Sequence, residues 1–334
     1  MEATAKPRIA IATGDPAGIG PEISLKAALH DDVRAICQPL LVGDPSAILQ
    51  HAEASGLHPE LNIIRHVGEA DWSNGRVNVL EARSPDNVPL AFGVIDAAYG
   101  RASLASARRA IQAALAHEVD AVVAAPQTEK SISLAGIKFD GYPTFVARET
   151  GMDENDVYLM ICFDDIRIVH MTLHLSVRQA LALITRERVE HVIRAADAAL
   201  RKMGIDKPKL YVGGLNPHAG EDGLFGTEEI ETITPAIQAM KAAGFDVSGP
   251  FGADTMFHKR DCDAYIVMLH DQGHITAKLL GFNRTAGLPI GSPILFSSVA
   301  HGSAHDIAGK NKADPGAVIS AIQRLAHSAN ADTA

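Results

Sequence analysis

The sequence is poor in the residues that mark several classes of protein. Its 334 residues include only three cysteines, Cys37, Cys162 and Cys262, which are far apart and form no CxxC pair. This excludes a disulfide framework and favours a reducing, cytoplasmic location. Aromatic residues make up 5% of the chain and hydrophobic residues 47%, so we expect a core built mainly from Ala, Val, Ile and Leu.

Basic residues and long apolar runs are also scarce. The chain has 30 Lys and Arg against 40 Asp and Glu, which gives a net charge of −10. This charge argues against a nucleic-acid partner and against an anionic membrane surface. No apolar run is long enough to span a bilayer. The N-terminal MEATAKPRIAIATG lacks the apolar region of a signal peptide, so we expect no membrane partner.

The chain does contain a regular alternation of strand and helix patterns. Short apolar runs at Arg8–Ala12, Pro39–Val42 and Val119–Ala124 alternate with helical patterns such as Val94–His117. This order predicts an α/β fold with a mostly parallel sheet covered by helices. Further predicted elements are the strands Ile166–His170, Lys209–Gly213, Tyr265–Leu269 and Pro293–Phe296 and the helices Arg186–Lys202, Glu228–Ala243, Asp271–Leu280 and Gly316–Ala326.

Three histidines follow predicted strands. His174, His218 and His270 are too far apart in sequence for a zinc finger, but strand exits gather at one edge of a parallel sheet. Three imidazoles with an open position are typical of a catalytic metal. The alternative is three unrelated histidines among 15. His274, four residues after His270, is a candidate for a supporting or substrate contact, and the remaining weaker candidates are His170, His301 and His305.

The segment His301–Pro315, HGSAHDIAGKNKADP, carries a first resemblance. It resembles the adenosine-binding loop of the isopropylmalate and isocitrate dehydrogenase superfamily, in which an acid holds the ribose hydroxyls and favours NAD over NADP. Asp306 occupies that position. The resemblance implies an NAD site with the residues His301, Gly302, Ser303, Asp306 and Ile307. The alternative is a glycine-rich loop without function.

A second resemblance covers nearly the whole chain. The motifs GDPAGIGPEI, TLH, GLNPHAGEDGLFGTEE, ADT, HDQG and HGSA together resemble the 4-hydroxythreonine-4-phosphate dehydrogenase family. The resemblance implies that His174, His218 and His270 bind a divalent metal. Zinc is favoured, and Mg, Mn, Co, Ni and Fe remain open. It also implies a homodimer with the active site near the interface, a substrate contact from Lys278, and a site role for Asp254.

The same resemblance implies the domain organisation. We expect an isocitrate/isopropylmalate dehydrogenase-like fold, with two α/β/α subdomains and a cleft between them. Residues 1–138 plus 285–334 are expected to form the NAD-binding subdomain. Residues 139–284 are expected to form the metal-binding and dimerisation subdomain.

The sequence departs from the family at the substrate positions. A Gly-His-Thr-Glu-Phe motif is replaced by Gly-Tyr-Pro-Thr-Phe, which includes Tyr142 and Pro143, and the family's Asn and phosphate-gripping Arg correspond to Gly287 and Phe296. Without the Arg, a phosphate loses a bidentate, charge-assisted clamp. These four residues and Lys278 are expected to form a less polar substrate site. GYP, TLHLSVR and MLHDQGHI resemble the terephthalate cis-dihydrodiol dehydrogenase branch.

The resemblance therefore implies an enzyme that oxidises and decarboxylates. The expected reaction converts a terephthalate cis-dihydrodiol to protocatechuate and CO2, with NAD and a divalent metal. Lys278, Asp254 and Asp271 are open candidates for the acid–base residue. The alternative enzyme is a 4-hydroxythreonine-4-phosphate or related phosphorylated hydroxy-acid dehydrogenase. The alternative outside enzymes is a binder of small acids that does not catalyse.

Overall fold

The computed structural model describes residues 6–73, 75–83, 86, 88–281 and 285–331. The chain divides into two compact units. Unit 1 comprises Met1–Gly151 and Pro293–Ala334, and unit 2 comprises Met152–Ser292. No helix in the described ranges is long and apolar enough to cross a membrane.

The sheet of unit 1 is parallel. Its strands lie in the order β3-β4-β2-β1-β5-β12, and all the pairs between them are parallel. The centres of β1, β2 and β5 are short runs of Ala, Val, Ile and Leu buried on both faces, as a helix-covered parallel sheet requires. The bounds are β1 Arg8–Ala12, β2 Gln38–Gly43, β3 Leu61–Ile64, β4 Val77–Glu81, β5 Ala121–Ala124 and β12 Leu295–Val299.

The helices of unit 1 follow the strands in sequence. α4 is the longest of them, and it packs against β1, β2 and β5. It begins at Ala97 rather than at the predicted Val94, because the Asp96 side chain accepts from the Ala98 amide and caps the helix there. The bounds are α1 Gly20–Leu29, α2 Asp31–Ile36, α3 Pro45–Ala54, α4 Ala97–Leu115, α5 Glu129–Leu134, α6 Tyr142–Glu149 and α11 Gly316–Ala331.

Unit 1 contains the point at which the strand order reverses. From β1 the chain builds β2, β3 and β4 on one side, and then crosses to form β5 on the other side of β1. After β1 and after β5 the chain therefore leaves the carboxyl edge of the sheet in different directions. Open α/β sheets bind ligands at such a reversal.

Unit 2 has a mixed sheet. Its strands lie in the order β11-β6-β7-β10-β8-β9, with β7, β10, β8 and β9 parallel and β6 antiparallel to β7 and β11. Its helices are α7 Val177–Ala182, α8 Arg186–Lys202, α9 Thr234–Ala242 and α10 His270–Gly281. The strands are β6 Tyr158–Phe163, β7 Ile166–His170, β8 Lys209–Gly213, β9 Asp246–Phe251, β10 Ala264–Val267 and β11 Ala286–Ile290.

Two elements of unit 2 differ from what the sequence pattern indicates. The helix predicted over Glu228–Ala243 is a π-helical turn, Glu229–Ile233, followed by α9. Pro235 in the first turn of α9 has no amide hydrogen to continue an α-helical ladder, so the hydrogen bonding changes there. Strand β11 is not evident from the sequence, because Gly287 and Pro289 weaken its strand pattern.

Short turns complete the description. The 3-10 segments are Val67–Glu69, Glu154–Asp156, Met256–His258 and His305–Ile307. Pro217–Gly223 is a tight turn in which His218–Asp222 all have positive φ angles. It follows β8 after three residues and carries His218, so it belongs to the candidate site.

Candidate active site

The three predicted metal ligands follow three neighbouring parallel strands of unit 2. His174 follows β7, His270 follows β10, and His218 follows β8. Strand β10 pairs with both β7 and β8, so the three exits lie at one edge of the sheet. The sequence predicts this arrangement, because the carboxyl ends of parallel strands lie at one edge of the sheet.

Two of these histidines are close together. The ring centroids of His174 and His270 are 5.5 Å apart. Nδ1 of His270 lies 2.7 Å from the Asp271 carboxylate, which can only accept the hydrogen bond. The hydrogen of a neutral His270 is therefore on Nδ1, and its Nε2 lone pair is available to a ligand. Asp271 is thus an orienting partner of His270, on a side chain that is 81% exposed.

His218 does not join this pair. Its Nδ1 lies 2.7 Å from the Glu221 carboxylate, and its ring packs edge-on against Phe225 with centroids 5.8 Å apart. Among the described residues, no three His, Cys, Asp or Glu side chains are close enough to hold a metal ion. The donor chemistry suits a divalent metal, and the assignment of His174, His218 and His270 as its ligands stays a prediction.

The turn that carries His218 is strained and held from beneath. His218, Ala219, Glu221 and Asp222 have φ angles between 45° and 55°, a region that costs L residues free energy. Glu229, which is 3% exposed, accepts from the amides of Leu215 and Asn216 at 2.7 and 2.8 Å. It also accepts from the Asn216 side chain at 2.9 Å. This buried carboxylate holds the start of the turn.

Sequence reasoning missed Glu229. Its signal lies in GTEE, where two acids follow a glycine, but sequence does not tell which of the two is buried. A Cβ on Gly220 would come within 2.8 Å of the Glu229 carboxylate. Gly220 also has a φ of 82°, so both contact and conformation favour glycine at this position.

A second pair of imidazoles lies behind His270. His170 is 0% exposed, and its Nε2 lies 3.0 Å from Nδ1 of His274. Nδ1 of His170 lies 3.3 Å from the Leu159 carbonyl oxygen. The His274 ring stacks on the His270 ring with centroids 3.8 Å apart. The four histidines of β7, its exit and α10 therefore form a continuous cluster.

Burial changes the acidity of this cluster. Burial, and then the charge of His274, lower the pKa of His170 to about 3. Burial, and then the charge of His270, lower the pKa of His274 to about 4. Both imidazoles are therefore neutral near pH 7.

The proposed acid–base residues of unit 2 are exposed. Lys278 lies on α10, about two helical turns after His270. Asp254 follows β9, and a Cβ on Gly252 would lie 2.8 Å from its carboxylate and 3.7 Å from the Cα of His218. Asp254 thus flanks the His218 turn. The catalytic roles of Lys278, Asp254 and Asp271 stay predictions.

Two expected substrate residues of unit 1 pack against each other. The rings of Tyr142 and Phe296 are 5.0 Å apart, and the Tyr142 hydroxyl donates to the Ala125 carbonyl at 3.2 Å. Burial raises the pKa of Tyr142. Phe296 is 1% exposed, and its role as a substrate residue stays a prediction. It lies on the buried strand β12, whose pairing with β5 directs the side chain into the core.

The other two expected substrate residues have little side chain to offer. Pro143 is buried in the first turn of α6, where its ring fits the helical φ angle. Gly287 pairs with Ile161 in the β11–β6 ladder of unit 2. Neither residue, nor Phe296, supplies a charge that could hold a phosphate.

The predicted NAD loop packs at the reversal point of unit 1. Ser303 accepts from the Ile19 amide at 2.9 Å through its carbonyl and from the Thr128 hydroxyl at 2.8 Å through its own hydroxyl. Nε2 of His305 lies 3.3 Å from the buried Asp15 carboxylate. These contacts tie the loop to the turns after β1 and β5.

Within the same loop, Asp306 remains at the surface. It lies in the 3-10 turn His305–Ile307 and is exposed, as are Gly302 and the Lys310 that donates to its carbonyl. His301 and Ile307 are half-buried. An exposed carboxylate on a fixed turn suits a ribose diol, which has two hydroxyl donors.

Comparisons with known proteins agree with these motifs. The chain matches the family model described as pyridoxal phosphate biosynthetic protein PdxA over residues 35–325. It is 40% identical over 321 residues to a protein of Symbiobacterium thermophilum named as a D-threonate 4-phosphate dehydrogenase, with 95% of each chain covered. It is also 40% identical over 320 residues to the 1,2-dihydroxy-3,5-cyclohexadiene-1,4-dicarboxylate dehydrogenase of Comamonas sp, covering 95% of this chain and 96% of that one.

A solved structure extends the comparison to the fold. The 4-hydroxythreonine-4-phosphate dehydrogenase of Klebsiella pneumoniae superimposes with a TM-score of 0.84 at 36% identity, covering 97% of this chain and 100% of that one. The predicted α/β architecture with a mostly parallel sheet is confirmed. The named relatives include both a dihydrodiol dehydrogenase and dehydrogenases of phosphorylated hydroxy acids.

Proposed function

Because this chain belongs to the PdxA family, whose relatives above are named as dehydrogenases, we propose that it is an NAD-dependent, decarboxylating dehydrogenase of a non-phosphorylated hydroxy acid. The proposed substrate is the terephthalate cis-dihydrodiol, 1,2-dihydroxy-3,5-cyclohexadiene-1,4-dicarboxylate. One observation carries the choice. Position 296, which corresponds to the family's phosphate-gripping Arg, holds a Phe that packs against Tyr142 and supplies no charge for a phosphate.

The proposed reaction balances without a further co-reactant. The C2 alcohol loses its hydroxyl proton and gives a hydride to NAD, so the alcohol becomes a ketone and NAD becomes NADH. The carboxylate on C1 is then β to the ketone and leaves as CO2, and its electron pair forms an enolate. Protonation of that enolate oxygen gives the catechol protocatechuate. The gain of aromaticity drives the decarboxylation forward.

Residues of unit 2 would orient the acid and move its protons. His270, held by Asp271, offers an Nε2 acceptor, and His174 lies beside it. Lys278 supplies a positive charge for a carboxylate of the substrate and is one candidate for the proton acceptor, with Asp254 and Asp271 as the others. The divalent metal of the family would act as a Lewis acid on the alcohol and the carboxylate.

Residues of unit 1 would hold the dinucleotide. Asp306 would accept from the adenosine ribose hydroxyls and would repel the 2′-phosphate of NADP. The Asp306→Ala variant is expected to bind NADH about tenfold more weakly, which is the loss of one hydrogen bond to a charged group. NADH fluorescence measures this, and Lys312→Ala, an exposed position on the same loop, is the control. An unchanged affinity in Asp306→Ala would reject the ribose contact.

We also propose a homodimer. Unit 2 exposes apolar side chains in short groups, including Leu224 and Phe225 after the His218 turn and Leu279 and Leu280 on α10. Apolar side chains that recur in one region are typical of a protein interface. A monomeric mass in analytical ultracentrifugation at micromolar concentration would contradict the proposed homodimer.

Formation of NADH tests the proposed function. The dihydrodiol dicarboxylate should yield NADH, protocatechuate and CO2 in equal amounts. Prior treatment with a chelator should abolish turnover, and added zinc or manganese should restore it. Unchanged turnover after chelation would reject the metal requirement but not the proposed dehydrogenase activity.

The second candidate is a dehydrogenase of a phosphorylated hydroxy acid. The D-threonate 4-phosphate dehydrogenase relative, at the same 40% identity as the dihydrodiol relative, favours it. NADH formation from D-threonate 4-phosphate and not from the dihydrodiol would select this candidate.

A further inference from the structure

The motif GDPAGIGPEI has no role in the proposed reaction, although it lies next to the predicted NAD loop. It forms the turn after β1 and the first turn of α1. Within it, the Ile19 amide donates to the Ser303 carbonyl oxygen at 2.9 Å. A Cβ on Gly18 would lie 2.6 Å from the Ser303 side chain, so glycine allows this close approach. The motif therefore holds the beginning of the loop at Ser303.

The end of the loop is held by the same helix, α1. Ala313 is 4% exposed, and both of its backbone polar groups bond side chains of α1. Its amide donates to the Glu22 carboxylate at 3.1 Å, and its carbonyl oxygen accepts from the Lys26 ammonium at 2.9 Å. Glu22 and Lys26 also pair with each other at 2.7 Å. This ion pair thus satisfies a buried loop residue, as a neighbouring strand would.

The pair is more enclosed than most ion pairs one helical turn apart. The Glu22 side chain is 0% exposed, and the Lys26 side chain is 20% exposed. A surface pair of this spacing contributes little, because water screens it. A buried carboxylate instead depends on its partners, which here are Lys26 and the Ala313 amide. Removal of either charged side chain should therefore release Ala313.

The loop between these two anchors needs support from outside. Ala304 has a φ angle of 40° and Asn311 a φ angle of 53°, both in the left-handed region. Such conformations cost L residues free energy and persist only where the surrounding structure holds them. Ala304 directly follows Ser303, and Asn311 lies two residues before Ala313. The strained residues thus lie just inside the anchors, with Asp306 between them.

We propose that Glu22 and Lys26 are positioning residues for the dinucleotide. Together they clamp Ala313 and keep the loop that carries Asp306 in the conformation that binds NAD. A loop that is already ordered loses less entropy when its ligand binds, so the clamp raises the affinity without adding a contact. The ligand of the loop rests on the proposed function, whereas the clamp itself does not.

Hydrogen exchange of the nucleotide-free protein, followed by mass spectrometry, tests the clamp. Lys26→Met removes the donor to Ala313 and the partner of Glu22, but keeps a side chain of similar length. Peptides covering residues 303–313 should exchange about tenfold faster in this variant, as expected for the loss of a hydrogen bond from a charged group. Lys26→Arg keeps the charge and should preserve the wild-type rate. Unchanged exchange in Lys26→Met would overturn the clamp.

Arg201→Met is the matched control for this experiment. Arg201 pairs with Asp197 one helical turn away on α8 of unit 2, at 2.7 Å, and also donates to the Asp206 carbonyl. The Asp197 side chain is 9% exposed, so this pair resembles the pair on α1. Arg201→Met should leave the exchange of residues 303–313 unchanged. An equal acceleration in both variants would overturn the proposal, because it would show a general loss of stability.

A second variant tests the clamp from its other side. Glu22→Leu removes the acceptor of the Ala313 amide and should also speed the exchange of the loop by about tenfold. Because Glu22 is fully buried, this variant may not fold, and Lys26→Met then decides, since the Lys26 side chain reaches the surface. A folded Glu22→Leu variant with wild-type exchange in the loop would overturn the clamp.

NADH fluorescence tests the link between the clamp and the dinucleotide. Lys26→Met should bind NADH about tenfold more weakly, Lys26→Arg should recover the affinity, and Arg201→Met should not change it. In turnover, the KM for NAD should rise by the same factor, and the KM for the hydroxy acid should not. General damage to the fold would raise both. Faster loop exchange with unchanged NADH affinity would overturn the positioning role.

These experiments separate the clamp from the proposed function. If the wild-type protein does not bind NADH, the proposed cofactor and the effect of the clamp on its affinity are both rejected. The exchange of residues 303–313 still decides whether Glu22 and Lys26 hold the loop. If NADH binds but no dihydrodiol is oxidised, only the proposed substrate fails, and the NADH measurements on the Lys26 variants stand.

Discussion

His270 and His218 follow neighbouring strands of unit 2, but the chain holds them in different ways. His270 begins a regular helix directly after β10, and an exposed carboxylate, Asp271, orients its ring. His218 lies in a run of left-handed residues, and a buried carboxylate, Glu229, holds the start of that turn. The regular helix α10 is enough to position His270, whereas the position of His218 depends on one buried carboxylate, Glu229. The two exits should therefore respond differently to substitution.

The largest effect is expected from removal of the anchor. Glu229→Ala leaves the amides of Leu215 and Asn216 without their buried acceptor. The free energy of unfolding should fall by about 3 kcal/mol, measured by urea denaturation. Glu228→Ala is the matched control, because Glu228 is exposed and accepts from the Asn216 side chain at the surface, and it should cost less than about 0.5 kcal/mol. Equal losses would contradict the special role of Glu229.

A smaller loss of stability is expected from a substitution at Gly273, on the helix that begins at His270. Gly273→Ala places a methyl group against the buried His170 ring and forces α10 or that ring to shift. The free energy of unfolding should fall by about 1–3 kcal/mol, and the His170–His274 hydrogen bond should be lost. Gly68→Ala is the control, since a Cβ there meets nothing within 4 Å. A Gly273→Ala variant that keeps both its stability and the His170–His274 hydrogen bond would show that α10 and the His170 ring are not tightly packed.

The stability of the same region should depend on pH through His170. Its folded pKa of about 3 lies below the unfolded value of about 6.5, so the unfolded state binds more protons between these values. The stabilisation is complete above about pH 6.5 and is lost as the pH falls towards the folded pKa. Thermal unfolding of wild type should weaken over this window, and His170→Leu should flatten the slope. Parallel slopes in the two proteins would assign the pH dependence to other groups.

The smallest effect on stability is expected from the exposed orienting carboxylate. Asp271→Asn replaces an acceptor that is 81% exposed, so the free energy of unfolding should change by less than about 0.5 kcal/mol. The kcat of the proposed reaction should nevertheless fall by about tenfold, because His270 loses its fixed tautomer. Urea denaturation and NADH formation measure the two quantities. A large loss of stability would make Asp271 an anchor like Glu229.

The strand exits could be read from sequence because they depend on local patterns. Short apolar runs ending in polar residues mark β7, β8 and β10, and their histidines follow within a few residues. The roles of Glu229 and His170 could not be read in this way, because each depends on contacts between segments distant in the chain. Sequence also aligns Phe296 with a substrate residue, but it does not reveal that the pairing of β12 with β5 buries this side chain.

The ratio of kcat/KM for the dihydrodiol dicarboxylate and for D-threonate 4-phosphate measures the proposed substrate preference. Both substrates are measured with NAD and the same metal-loaded preparation. With neither Gly287 nor Phe296 supplying a phosphate clamp, the dihydrodiol should be preferred by at least about a hundredfold. A higher kcat/KM for D-threonate 4-phosphate would contradict the proposal that the substrate is not phosphorylated.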